Sequence, residues 1–253
     1  AQHLCTHLHL LLASDPPLWR ESPKEALRQA FAKAENELRE IYQKNPEDKS
    51  GSCACVALLR GRRLFVASVG DCRLLLLRSE SAADPLWQVT HDHRATDQQE
   101  RHRILKAGGQ ITDGRVWGAL IPSRTLGDFP WKAKGPGLSA LPEFCSYEIG
   151  PDDRYIILGS DGLFDVLTNK AIARIAGRMS GKAQKVANEL VKELNASGVE
   201  LTSGPPGVSL PQAAAEEEGR QGNGGRRASL RPLSEGTYEV VPAPAAAKAP
   251  STA

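Results

Sequence analysis

Residues 53–77 read CACVALLRGRRLFVASVGDCRLLLL. Three apolar runs, Cys53–Leu59, Leu64–Val69 and Cys72–Leu77, are separated only by short polar connections centred on Arg60-Gly61 and Gly70-Asp71. Runs this short, leucine-rich or β-branched and bounded by glycine, are strands rather than helices. Connections this brief predict two consecutive hairpins and hence an antiparallel meander.

Upstream of the strands the period changes. Leu4, Leu8 and Leu11–Leu12 fall at helical spacing. Ser22, Pro23 and Glu25 then form a helix start: a capping hydroxyl, proline at the first helical position and a glutamate reaching back. Leu27, Ala30, Phe31, Ala34, Leu38 and Ile41 make one apolar face, with Arg28, Glu35 and Arg39 outside it, and Asn45-Pro46 ends the helix. Downstream, Thr96 or Asp97 caps a short helix closed by Gly108-Gly109. Short strands follow near residues 110–111, 116–119 and 145–149, and the apolar strand Tyr155–Leu158 runs into Gly159-Ser160-Asp161-Gly162. Two helices, about 168–177 and 181–195, complete an α+β layered domain over residues 1–198.

Composition narrows the function. Among 253 residues, 32 Lys and Arg face 30 Asp and Glu, so the net charge is +2. That balance supplies no electrostatic reason for a nucleic-acid or anionic-membrane partner. No apolar stretch approaches the roughly 18 residues of a membrane span. Five cysteines, an odd number with no CxxC, predict buried thiols in a reducing, intracellular compartment. The chain begins with Ala1 and its only methionine is Met179, which predicts a processed or incomplete chain. Residues 199–253 hold 29 Gly, Pro, Ala or Ser out of 55 and one aromatic residue, Tyr238. Such a tail buries too little to offset its chain entropy and is expected to be disordered.

No P-loop, nucleophile elbow, dinucleotide fingerprint or metal-binding His pair on a helix is read from the sequence. His91 and His93 flank Asp92, and on a strand alternate residues point to opposite faces, so a shared metal site is not expected there. His3, His7 and His9 could include an i,i+4 pair, but with no carboxylate close by in sequence they are read as a solvated face. What remains is a set of aspartates beside glycines or at strand ends: Asp71, Asp92, Asp128, Asp161 and Asp165. An apolar strand that delivers an aspartate to a sheet edge suits Mg²⁺ or Mn²⁺, which take carboxylate and water oxygens. A lone Asp-Gly is equally a turn signal.

Five segments in order resemble the metal-dependent type 2C (PPM) Ser/Thr protein phosphatases. GSCACVALLRGRRLFVASVGDCRLLLLR (51–78) is similar to the family's "GSTA…ANxGDSR" strand pair, and THDHRATDQQERHRILKAGG (90–109) to "LTxDHKP…E..RI…GG". IPSRTLGD (121–128) matches "SRxxGD", LPEF (141–144) matches "PE", and YIILGSDGLFDVLTN (155–169) matches "FLILASDGLWDVLSN". The resemblance implies an αββα sandwich, two antiparallel sheets between helical layers. It implies hydrolysis of phosphoserine and phosphothreonine in a phosphoprotein substrate by a water activated between two Mg²⁺ or Mn²⁺ ions. By motif, Asp161 is a ligand of the dinuclear centre, and Asp92 and Asp165 serve a third metal position. Arg124 and Asp128 are expected to form a structural ion pair or loop anchor, and Asp71 to fix the hairpin turn.

The family's upstream "RxxMED" and "DGHGG" motifs, which carry a phosphate-binding arginine, further metal ligands and the proposed acid, are absent from this chain, as is the "DNxTxxxV" strand after Asn195. No catalytic residue is therefore identified, and little activity is expected of the chain as it stands. A catalytically silent, phosphatase-like binding or scaffold module is the alternative. In the tail, Arg226-Arg227-Ala228-Ser229-Leu230 resembles the consensus of basophilic, cAMP-dependent-type kinases, making Ser229 a possible phosphosite.

Overall fold

The computed structural model describes residues 1–79, 82, 84–179, 183–197, 229–234 and 237–241. The chain opens with helices α1 (Gln2–Ala13), α2 (Pro16–Glu21) and α3 (Pro23–Lys44). Strands β1 (Gly51–Ser52), β2 (Ala54–Arg60), β3 (Arg63–Val69), β4 (Arg73–Arg78) and β5 (Leu86–Gln88) follow. Next come α4 (Gln98–Lys106), β6 (Ile111–Thr112), β7 (Arg115–Val116), β8 (Leu126–Gly127) and α5 (Phe129–Lys132). Then β9 (Glu143–Glu148), β10 (Asp153–Gly159), α6 (Asp161–Phe164), α7 (Asn169–Arg178) and α8 (Ala183–Ala196) close the 1–198 region.

The layers follow from side-chain alternation. On β3, Ala67 and Val69 pack with Leu4 and Leu8 of α1 and with Leu27, Ala30 and Phe31 of α3. Leu64 and Val66, on the other face, meet Leu74 and Leu76 of β4 across the two sheets. Leu75 and Leu77 point away from that interface onto Ile172 and Ala176 of α7 and Val186 and Leu190 of α8. Both strands are apolar on both faces because each sheet is covered on both sides. The result is the expected α+β sandwich: helices, sheet, sheet, helices.

The meander expectation fails at its second turn. β2 and β3 do form an antiparallel hairpin, Arg60 opposite Arg63. β4, however, leaves that sheet and lies between β10 and β5, while β3 takes β9 as its other neighbour. Gly70-Asp71 is therefore a crossover between layers. Gly70 has φ +91, and a Cβ there would stand 2.1 Å from Cys53 Sγ. A short glycine link can lead either to an adjacent strand or to the facing sheet, and composition alone does not separate the two.

Local differences have equally local causes. Ser22 makes no side-chain cap, because it closes α2 and opens α3 at once, donating its N–H to Leu18 O. Glu25 turns instead to Arg28, whose Nε donates to Oε2 at 2.7 Å. Glu35, assigned by periodicity to the polar face, is buried and accepts from Gly127 N–H and Lys132 Nζ, each at 2.8 Å. All five cysteines are free, Cys5 is exposed, and burial pushes the Cys55 and Cys145 thiols up to about 12. Of the 199–253 tail, the described residues form two strands, β11 (Ser229–Ser234) and β12 (Thr237–Val241). They pair with each other, and β12 runs parallel to β9 at Thr237 and Phe144. The rest of the tail, Arg226–Ala228 included, lies outside the described residues. No helix among the described residues is long and apolar enough to cross a membrane.

Candidate metal centre

Strand register builds the site. β4 runs antiparallel to β10 with Arg73 opposite Gly159, and antiparallel to β5 with Leu75 opposite Gln88. The start of β4 and the ends of β5 and β10 therefore meet at one end of the three-stranded sheet. Asp71 lies just before β4, Asp92 just after β5, and Asp161 and Asp165 bracket α6 just after β10. Three of the aspartates singled out by motif (Asp92, Asp161 and Asp165) and one assigned only to a turn (Asp71) come to this end.

Two arginines stand among them. Arg73 donates to Asp92 from Nε at 2.8 Å and from Nη2 at 2.7 Å, and its guanidinium lies 5.1 Å from the Phe164 ring centre. Arg94 donates from Nη2 to Asp165 Oδ1 at 2.8 Å, and its Nε lies 3.0 Å from Asp71 Oδ2 and 3.9 Å from Asp92 Oδ2. Both arginines occur in the pattern Asp-x-Arg, as Asp71-Cys72-Arg73 and Asp92-His93-Arg94. The fold exchanges partners: each arginine pairs with the aspartate of the other triplet. That repeated triplet was the signal available in the sequence, and neither arginine was singled out from it. Gln88 and Asn169 complete the ring, Gln88 Nε2 donating to Asp92 at 3.1 Å and Arg73 Nη1 to Asn169 at 3.1 Å.

The electrostatics are uneven. Asp71 is 5% exposed, and burial pushes its carboxyl up despite the Arg94 charge. Burial pulls against the Arg94 guanidinium, but the bond to Asp165 and the nearby carboxylates hold it above its ordinary value. Asp161 is exposed, accepts only a local bond from Gly162 N–H at 2.8 Å, and forms no ion pair among the described residues. Carboxylate oxygens with one uncommitted member fit the chemistry of a hard divalent cation. Arg73 and Arg94 already meet much of the charge of the other three.

Elsewhere, the expectation that His91 and His93 diverge is overturned. Residues 91–93 are not a strand, and both rings turn toward Glu143, their ligating atoms within 4.8 Å of one another. His93 Nδ1 accepts from Gly70 N–H at 3.1 Å, which places the ring proton on Nε2, donated to Glu143 Oε2 at 2.9 Å. A cation on His93 Nε2 would require that proton to leave and the Gly70 bond to break. His91 bridges Glu143 and Asp97, Nε2 lying 3.1 Å from Asp97 Oδ2, and the bond to Glu143 lifts its pKa to about 9. His93, bonded to Gly70 and Glu143, clamps the crossover, while His91 Nδ1 lies 3.7 Å from Glu143 as an ion-pair neighbour.

Arg124 and Asp128 do not pair with each other. Arg124 donates to Glu100 Oε1 from Nη2 at 2.6 Å. Asp128, at φ +53 before α5, packs on Gly51, where a Cβ would fall 2.0 Å from its Oδ2. An apolar cavity of 470 Å³ between α1, α3 and β2 has no carboxylate in its lining and is remote in character from this chemistry.

Comparison with known proteins agrees with the geometry. The family description "Protein phosphatase 2C" matches residues 1–202. The human "Probable protein phosphatase 1N" is 38% identical over 181 residues, 68% of this chain and 40% of that protein. The rice "Probable protein phosphatase 2C 47" is 35% identical over 179 residues, 68% of this chain and 44% of that protein. The chain thus spans less than half the length of these two relatives. The crystal structure of serine-threonine phosphatase 2C from Toxoplasma gondii superposes with TM-score 0.61 at 21% identity, covering 78% of this chain and 77% of that one. A C. elegans sex-determining protein superposes with TM-score 0.66 at 23% identity, covering 78% and 50%. These two likenesses speak to the fold. The family is metal dependent. Sequence, sandwich and converging aspartates agree, and this chain belongs to the protein phosphatase 2C family.

Proposed function

We propose that the protein is a Ser/Thr protein phosphatase that acts on phosphoserine and phosphothreonine in protein substrates, with Asp161, Asp92 and Asp165 holding Mg²⁺ or Mn²⁺. The carrying observation is the register of β4, β5 and β10, which delivers all three carboxylates to one sheet end. Bound there, such cations supply acidity to a water and polarise the phosphoryl oxygens. The chain's own residues hold these carboxylates: Arg73 and Gln88 fix Asp92, Gly162 N–H orients Asp161, and Arg94 holds Asp165 while no cation is bound. Arg124 is committed to Glu100 and is not a free phosphate ligand. Free thiols support an intracellular setting.

Residues 1–253 alone are expected to turn over little, because one uncommitted carboxylate does not hold two cations. This same shortage supports the second reading, a silent binding or scaffold module. The test measures hydrolysis of a phosphothreonine peptide and of p-nitrophenyl phosphate with millimolar Mn²⁺. It compares residues 1–253 with a fusion behind a family segment bearing RxxMED and DGHGG. Turnover in the fusion that Asp161→Asn abolishes supports the phosphatase; an inert fusion supports the silent module. Robust turnover by residues 1–253 alone overturns the view of the missing ligands.

A further inference from the structure

Arg94 is placed unusually for a structural arginine. Its guanidinium reaches three carboxylates from three separate segments, at 2.8 Å (Asp165), 3.0 Å (Asp71) and 3.9 Å (Asp92). Yet the contact with Asp71 is one of charge and not an aligned hydrogen bond, since Arg94 Nε is buried without a hydrogen-bond partner. The side chain is 26% exposed, so its head can leave for solvent by rotation of its own stem. Arg73 is different: a fork on a single carboxylate, held from behind by Asn169. Four carboxylates against two guanidinium groups leave a formal excess of two negative charges, the charge of one divalent cation.

We propose that Arg94 is an internal counter-ion that competes with a divalent cation for Asp71, Asp92 and Asp165, so that cation binding at this sheet end requires Arg94 to swing out. The proposal rests on the reading of this end as the metal centre and adds what sets its affinity. A guanidinium beside these oxygens repels an arriving cation and occupies lone pairs that the cation needs. While no cation is bound, it offsets the repulsion among carboxylates that would otherwise splay the loops carrying them.

The test is Mn²⁺ titration of the 253-residue chain, followed by the paramagnetic resonance of free Mn²⁺ and by calorimetry. Arg94→Gln is expected to bind Mn²⁺ on the order of tenfold more tightly than the wild type. Arg94→Lys, a point charge with no fork, is expected to fall between them. Asp165→Asn combined with Arg94→Gln is expected to lose the gain. In chelator, Arg94→Gln should melt below the wild type and recover with Mn²⁺, whereas the wild-type melting temperature should move little. Should Arg94→Gln not fold, Arg94→Lys carries the comparison. Affinity unchanged within twofold in the folded variant, or weakened, overturns the proposal. A gain in affinity with an inert fusion in the hydrolysis assay keeps the counter-ion and removes the phosphatase reading. Turnover by the fusion with no change of affinity does the reverse.

Discussion

At Glu100 a single carboxylate, its side chain 3% exposed, accepts from Arg124, Arg103 and the Ser123 hydroxyl at 2.6 to 2.8 Å. At the end of the β10-β4-β5 sheet, four carboxylates stand with only two guanidinium groups: Arg73 and Arg94 reach Asp71, Asp92 and Asp165, and Asp161 touches neither. Both clusters are made of the same residue types, yet the first has more donors than its acceptor needs and the second has too few. Where donors are in excess the network is closed, and its work is to hold α4 against the 123–141 loops, since Arg103 also reaches Ser123 O and Gly137 O at 3.0 Å. Where carboxylates are in excess, an outside positive charge is the natural complement. Counting charge against charge separates a strut from a site when the residue types do not.

This contrast can be broken at several points. The largest effect is expected at Glu100→Ala, which leaves two arginines beside an empty buried position and should cost about 3–5 kcal/mol in urea unfolding. A loss below about 1 kcal/mol would mean that the closed network holds nothing together. The second is pH. Burial acts against the Glu100 charge, but the hydrogen bonds from Arg124, Arg103 and Ser123 prevail and hold its carboxyl well below the usual carboxylate range. A folded-state value lower than the unfolded one gives stability that is complete above the ordinary value of about 4.3 and is lost as pH falls toward the folded value. Between pH 6 and pH 3 the wild type should therefore lose about 1–3 kcal/mol more than Glu100→Gln; parallel curves would contradict it.

Smaller effects sharpen the other side. Asp71→Asn removes both a buried charge and the contact with Arg94, so the two consequences offset and the change should stay within about 1 kcal/mol. Asp161→Asn should fall within about 0.5 kcal/mol, because that carboxylate is exposed and unpaired among the described residues. Measured by denaturant midpoint, a destabilisation above 1 kcal/mol at Asp161 would place it with Glu100 as a strut.

The layered fold was largely legible because Leu64–Ala67 and Leu74–Leu77 are apolar without alternation, the mark of strands covered on both faces. The helices announced themselves through period and punctuation, Asp97 and Gly108 above all. The two turns of the 53–77 stretch were not distinguishable: Arg60-Gly61 makes a hairpin and Gly70-Asp71 a change of sheet, and the deciding partner, β10, lies far along the chain. His91 and His93 misled because alternation applies only to a strand, and β5 has ended at Gln88. Of the aspartates that gather at this sheet end, Asp92, Asp161 and Asp165 were visible through motif order. Arg73 and Arg94 were not, since their pairing crosses between triplets and depends on register that no local pattern encodes.

The crossover at Gly70 also sets a timetable. The hairpin of β2 and β3 can close once residue 69 has emerged from the ribosome, but Arg78 of β4 meets Asp153 of β10 across 75 residues. At ribosomal rates of about 5–20 residues per second, β4 waits about 4–15 s for β10. Until then Leu74–Leu77 is an apolar strand with its long-range partner still unmade, and closing so long a loop is slow. Synthesis is thus a stage at which this strand is open to misassociation, and slowing translation between residues 78 and 153 should lower the soluble yield.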